Sequence, residues 1–289
     1  MSRAISSWLS SLSKRSGEAS KGQTESIDVH SDSMPSHQNA IDLLPGWNHA
    51  FPPELNLVAG EGRFDQDPRI LWAIERFGPL EGKRVLELGP LEGQHTAILE
   101  RCGARRIDAV EGNKLAFLRC LVAKEIYDLR RSHFLLGDFV RGLARPIRYD
   151  FIVASGVLYH MSDPLLLLER IAARTDAVYI WTHYFDDEAM SKADLRRFAF
   201  QSPDRKHEET VKIVEFHGVK VKLHLRSYYK AWQKSQYCGG PVDRHFWMEK
   251  ADLIAVLRAL GFNDLSFAHE APDHPNGPAI SIFARRTGG

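Results

Sequence analysis

Residues 85–96 read Val-Leu-Glu-Leu-Gly-Pro-Leu-Glu-Gly-Gln-His-Thr, an apolar run, a glycine turn and a helix start in succession. Glycines in such a turn let the backbone approach a ligand, and the helix that follows offers it unpaired N–H groups. The run Ile107 to Val110 ends in Glu111, about 24 residues past Glu87. An acidic residue at the tip of a second strand can accept two hydrogen bonds from the vicinal hydroxyls of a ribose. A third run ends in Gly137-Asp138-Phe139, which sets a carboxylate for an exocyclic amine beside an aromatic ring. Three acidic strand tips in order describe a pocket for an adenosine.

A dinucleotide calls for Gly-x-Gly-x-x-Gly, so that a helix dipole faces a pyrophosphate. Here the turn carries Glu87, Gly89 and Gly93, with Leu91 where a middle glycine would stand and a carboxylate at Glu92. Two acids beside the turn repel a pyrophosphate and suit an ammonium and a sulfonium. This reading favours S-adenosylmethionine over NAD. Chemistry on such a ligand happens at the carboxyl ends of the central strands. Tyr159 and His160 follow one predicted strand there, and His183 follows the next. Each has two readings: His160 as a base or as a loop-orienting hydrogen-bonder, Tyr159 as a pocket wall or a packing residue, His183 as a base or substrate contact or as structure. Asp186, Asp187 and Glu188 have the types for a metal site with His183 but lack the spaced partners of one, and a solvated loop start is favoured.

The elements that must place these residues follow from hydrophobic periodicity. Strands are expected at Arg84–Leu88, Arg106–Val110, His133–Leu136, Asp150–Ser155 and Ala177–Trp181. Helices are expected around Ile70–Phe77, Thr96–Arg101, Leu115–Leu129 and Pro164–Arg174. Strands alternating with helices of this length imply an α/β fold, a doubly wound parallel sheet covered on both faces. After Asp186 the alternation stops. His217-Gly218 is a hairpin turn between Val211–Phe216 and the alternating run from Val219. A helix at Glu249–Leu260 and strands near Leu265–Ala268 and Ile280–Ala284 complete the chain.

From about residue 80 onward the chain resembles the class I S-adenosylmethionine-dependent methyltransferases. The Glu-x-Gly turn, Glu111, Gly-Asp138 and Asp150-Phe-Ile-Val-Ala-Ser-Gly-Val-Leu-Tyr-His160 match that family's first four motifs in order and spacing, with a departure at Leu91. The resemblance implies a seven-stranded Rossmann-like sheet with its last strand antiparallel. It implies S-adenosylmethionine held by Glu87, Gly89, Gly93, Glu111, Asp138, Phe139 and Ser155. Glu92 to Ala104 and Ser155 to Pro164 are also similar to the bacterial enzymes that carboxymethylate the wobble uridine of tRNA with carboxy-S-adenosylmethionine. That family holds the extra carboxylate with basic side chains. Residues 50–69 contain no lysine and only Arg63 and Arg69, so plain methyl transfer is favoured.

Composition bounds the rest. The 289 residues hold 38 Lys+Arg against 37 Asp+Glu, a net charge of +1, which argues against a whole-surface grip on nucleic acid. No run approaches the roughly 18 apolar residues of a membrane helix. Three cysteines suggest reduced thiols and a cytoplasmic setting, with Cys102 and Cys120 in the core. Residues 1–40 have a disorder composition, and Ala4 to Leu12 at helical spacing could be a short amphipathic helix. Residues 41–289 form the methyltransferase domain. Within it, 189–234 carry eleven Lys+Arg and five Asp+Glu, a basic cap insertion that either receives an anionic substrate or RNA backbone or is the solvated face of a hairpin. Tyr237 to Pro241 with Phe246-Trp247 is either a flexible cover over the acceptor or a turn with two core aromatics. The expected acceptor is an oxygen or nitrogen nucleophile on a small or saccharide-like molecule. RNA and a non-catalytic cofactor-binding scaffold are the alternatives.

Overall fold

The computed structural model describes residues 30–63, 66–201, 209–228 and 242–287. The segments expected to form the Ala4–Leu12 helix and the Tyr237–Pro241 cover, with Cys238, lie outside them. The chain divides into two compact units, Met1–Pro35 and Ser36–Gly289, and the second carries every element described below.

Among the described residues ten strands run in chain order: β1 Arg84–Leu88, β2 Arg106–Glu111, β3 Ser132–Leu136, β4 Phe151–Ser155, β5 Ala177–His183, β6 Val211–Phe216, β7 Val219–Ser227, β8 Arg244–Met248, β9 Asp264–Ala271 and β10 Ala279–Arg285. Seven make one sheet in the order β3-β2-β1-β4-β5-β10-β9. The first five are parallel, and β10 is antiparallel to both neighbours. The expected doubly wound sheet with an antiparallel last strand is what forms.

Both faces of the sheet are covered, which is why the central strands read as nearly unbroken apolar runs. Leu86, Leu88, Ile152, Ala154 and Ile180 face the helices Pro164–Ala172 and Lys250–Ala259. Val85, Val153 and Tyr179 face the helices Pro68–Phe77 and Gln94–Arg101 with Ile70, Ala73, Ile98 and Leu99. Side chains alternate along a strand, so Glu87, Trp181 and His183 project to this second face.

The insertion after β5 is a separate antiparallel sheet, β6-β7-β8. His217 and Gly218 take φ of 49° and 79°, the paired left-handed conformations of a tight hairpin turn. The third strand, β8, lies past residue 234, so the inserted sheet runs beyond the 189–234 limit expected from charge. Among its described residues, three basic side chains are ion-paired. Lys222 Nζ lies 3.1 Å from Glu249, Arg196 lies 2.7 Å from Asp194, and Arg197 pairs with Asp187 and Glu209. Trp247 is a core aromatic, 1% exposed, not part of a mobile cover. Cys120 is buried and Cys102 partly so.

Candidate functional site

At the end of β1, Gly89 has φ 65° and donates its N–H to the Val110 carbonyl at 2.9 Å. A Cβ there would sit 2.7 Å from Val157 Cγ1, so only glycine fits. Leu91 takes φ 56°, the left-handed conformation normally left to glycine. It is held there from outside. Its N–H donates to Glu111 Oε2 at 3.0 Å, and its carbonyl accepts from the Cys120 thiol at 3.5 Å. The other Glu111 oxygen accepts from the Asn113 N–H at 2.7 Å. Burial pushes the Glu111 carboxyl up, and these backbone donors oppose the shift. Gly93 (φ 81°) is the N-cap of the helix Gln94–Arg101, and a Cβ on it would meet the Phe134 ring at 3.1 Å.

The turn opens onto a cleft of about 1410 Å³ along the carboxyl edge of the parallel strands. Gly89, Glu111, Asp138, Phe139 and Ser155 line it. Asp138 caps the short helix Phe139–Gly142 by accepting from Val140 N at 2.8 Å. Gly93 and Glu87 stand behind the wall, outside that lining. Glu87 is 2% exposed and accepts from Thr96 Oγ1 at 2.5 Å. Burial, with the Glu111 charge nearby, pushes its carboxyl up to about 7 despite the Thr96 hydrogen bond.

Glu92 corrects the electrostatic argument made from sequence. It is fully buried and does not face a ligand. Its carboxylate accepts from Asn48 N and His49 N at 2.9 Å each, and from Asn48 Nδ2 at 3.0 Å. Arg119, itself buried, sets Nη1 3.3 Å away and donates from Nη2 to the Pro45 carbonyl. Burial works against the charge, but His49 and these donors outweigh it and hold Glu92 below the usual carboxylate range. Glu92 is thus the post to which the segment before the turn is tied. Removing one partner of a buried ion pair costs about 3–5 kcal/mol, so Glu92→Ala should lower unfolding stability by about that much in urea titration. A loss under about 1 kcal/mol would contradict this role.

The acceptor side is built from three strands. Leu158–His160 form a single 3₁₀ turn after β4, β5 ends in Trp181, Thr182 and His183, and β8 delivers Trp247. The Tyr159 ring lies 4.2 Å from His160 and 4.6 Å from His183, centroid to centroid. His183 stacks on Trp247 at 5.1 Å with 5° between planes. Trp247 Nε1 donates to the Tyr159 carbonyl at 3.1 Å, which ties the inserted sheet to the 3₁₀ turn. The three residues expected to do chemistry therefore converge, and all line the cleft.

His183 has a defined tautomer. Its Nδ1 lies 2.8 Å from the Gly277 carbonyl, which can only accept, so Nδ1 carries the proton and Nε2 keeps its lone pair. Burial pushes this imidazole down to about 4, against the Gly277 hydrogen bond. Burial also depresses His160 well below its usual value, with His245 and Arg226 adding to the effect. Asp186 caps its own turn, accepting from Glu188 N and Ala189 N at 2.9 Å. No cluster able to hold a metal ion is present among the described residues. No helix among them is long and apolar enough to cross a membrane.

Sequence reasoning missed Asn48, His49 and Arg119 around Glu92. It also missed Asp67, which joins Arg69 (2.6 Å) to His95 (2.9 Å) at the cleft wall. These partners lie 27 to 44 residues apart, except Arg69, and no local spacing announces them.

A seven-stranded sheet in this order, with a glycine turn and acidic strand tips at one edge, defines a nucleoside-binding α/β fold. A family model described as a methyltransferase domain matches residues 65–266, and the chain belongs to that family. It is a class I S-adenosylmethionine-dependent methyltransferase, as the motifs led us to expect. The N-terminal domain of EvdMO1, crystallised in the presence of SAH and D-fucose, is similar in structure, with a TM-score of 0.63 and 23% identity over 88% of this chain and 100% of that one. An O-methyltransferase family protein from Burkholderia thailandensis has a TM-score of 0.51 and 12% identity over 78% of this chain and 57% of that one. A tRNA U34 carboxymethyltransferase of Alteromonas mediterranea is 29% identical over 119 residues, 37% of this chain. The chain covers 35% of the length of that curated relative. The residues present suit S-adenosylmethionine. Gly89 lines the cleft without a side chain, and Glu111 and Asp138 line it at successive strand tips.

Proposed function

We propose that the protein transfers a methyl group from S-adenosylmethionine to an oxygen or nitrogen of a small-molecule or saccharide-like acceptor. In this reading Glu111 holds the ribose hydroxyls, Asp138 and Phe139 take the adenine, and Gly89 and Ser155 face the amino-acid portion. Gly93 and Glu87 support the turn from behind. The bound sulfonium supplies the electrophilic methyl. The acceptor is positioned about 3 Å from it and in line, and most of the catalysis is that positioning. His183 Nε2 takes the proton that the acceptor releases, while Tyr159 and His160 wall the space and keep water out.

One observation carries the acceptor class. His183 presents its lone pair in a cleft walled by Tyr159, Trp181 and, behind it, Trp247. Aromatic walls with a single oriented base fit a compact, hydroxyl-bearing acceptor. EvdMO1, crystallised with D-fucose, has the same fold. Labelled S-adenosylmethionine offered against metabolite, saccharide and RNA pools should mark a small molecule, and product mass should show a methyl rather than a carboxymethyl addition. Label confined to RNA would overturn the reading.

The tRNA alternative has a sequence match behind it and predicts binding through Lys220, Lys222 and Arg226. Lys222 is paired with Glu249, and Arg226 lies over the rings of Tyr228 and Trp247 at 4.3 and 4.9 Å. That arrangement supports the small-molecule reading. A gel shift with bulk tRNA at low salt should find no band that Lys220→Ala with Lys222→Ala abolishes. Such a band, collapsing with salt, would restore the RNA reading.

A further inference from the structure

A second, smaller cavity of about 350 Å³ lies beside the cleft. Its floor is the carboxyl end of β5 with the adjoining ends of β10 and β9: Trp181, Ala279, His269 and Ala271. Register confirms the placement, because Ala279 pairs with both His183 and Ala271. Arg63, Arg69, Asp67 and His274 complete the lining. Arg69, Trp181 and His274 line both spaces, so the smaller cavity continues the acceptor half away from the nucleoside tips.

Its chemistry is lopsided. Among the described residues, two guanidinium groups and two imidazoles line it against one carboxylate. That carboxylate, Asp67, is already engaged by Arg69 Nε and Nη2 along one edge of the guanidinium and by His95. The Arg69 guanidinium is fixed at 4.6 Å over the Trp181 ring. His274 Nδ1 accepts from Asn276 N at 3.2 Å, so its proton sits on Nε2 and the ring can donate from there. His274 in turn lies 4.8 Å from His183, which places this donor beside the proposed base.

We propose that this cavity anchors a negatively charged group on the acceptor, a carboxylate or a phosphate, one ring-length from the methylated atom. The proposal rests on the methyl-transfer reading and deepens it, since it names the acceptor as an acidic saccharide or similar small anion. Arg63 and Arg69 supply guanidinium donors, His274 Nε2 supplies a hydrogen bond, and Trp181 supplies an aromatic wall. The charge of the acceptor is then read here and not on the inserted hairpin.

The test is calorimetry on the full chain saturated with S-adenosylhomocysteine, titrated with D-glucuronate, glucose 6-phosphate, inorganic phosphate and uncharged D-glucose. At least one sugar anion should bind tenfold or more tightly than glucose. Preference for glucuronate identifies a carboxylate, and preference for the sugar phosphate, with competition by inorganic phosphate, identifies a phosphate. Arg63→Gln should reduce that preference to within about threefold while S-adenosylhomocysteine affinity and the circular dichroism spectrum stay as in the parent. Arg69→Gln should reduce the preference likewise and serves as the second variant, while the unchanged-affinity criterion is read on Arg63→Gln alone, because Arg69 also lines the main cleft. Equal binding of charged and uncharged sugars, or a preference that survives both substitutions, overturns the subsite and leaves the methyltransferase reading standing. Failure to bind S-adenosylhomocysteine strikes that reading instead, and the anion preference is then measured on the free protein.

Discussion

Replacing Glu111 with alanine should weaken S-adenosylhomocysteine binding by roughly tenfold to a hundredfold in calorimetry, since a hydrogen bond to a charged group is worth about 1.5–3 kcal/mol. Two losses combine. The ribose would lose its carboxylate, and the Leu91 N–H would lose the acceptor that holds a non-glycine residue at φ 56°. A left-handed residue of this kind costs about 1–3 kcal/mol and persists only where its surroundings enforce it. Glu111→Gln separates the two effects. It keeps an oxygen that can accept but loses the charge, so its affinity should fall between the parent and alanine. Unchanged affinity in Glu111→Ala would remove Glu111 from the site.

His183→Gln should reduce kcat a hundredfold or more and leave S-adenosylhomocysteine affinity as it was. General-base catalysis typically contributes about 10²–10⁴ in rate. The parent's pH profile gives an independent reading. Burial pushes the His183 imidazole down to about 4, so its Nε2 lone pair is available above that value and is lost by protonation below it. The rate should therefore hold as pH falls through 6.5, the ordinary value for histidine, and drop only toward about 4. The same shift has a stability consequence. The unfolded chain takes up this proton near 6.5 and the folded chain only near 4. Stability from this group is complete above 6.5 and is lost as pH falls between those values. A kcat in His183→Gln within threefold of the parent would exclude the imidazole as base.

Much of this architecture was legible because it is local. The run Arg84–Leu88 read as a buried strand, and the His217-Gly218 pair as a hairpin turn, from neighbours in sequence alone. Glu111 and Asp138 were found because a parallel sheet repeats its strand tips at regular chain intervals. The motif residues Gly89, Glu111, Asp138, Phe139 and Ser155 therefore share one cleft. Glu92 misled because charge alone does not say which way a side chain points. Its partners Asn48, His49 and Arg119 come from elements far off in sequence, and they turn an apparent ligand-facing acid into an internal tie. β8 was missed because Arg244–Met248 is short and mixed in polarity, and only the pairing with β7 makes it a strand. The second cavity could not be read at all, since it joins residues 63–69 to residues 269–279.

The carbonyl that fixes the His183 tautomer belongs to Gly277, 94 residues downstream, where φ is 117° and a Cβ would strike the Trp247 ring at 2.6 Å. The hydrogen bond that shapes the cofactor turn spans only 20 residues. Contacts across long stretches of chain carry the larger loop-closure entropy. The two halves of the cleft are thus set to come and go at different moments. The proposed nucleoside seat closes early around Leu91 and Glu111, and the proposed base takes its place only once the final strand has returned to the sheet. On warming the order reverses, so the protein should stop turning over while it still holds its cofactor, with catalytic competence the first property to melt.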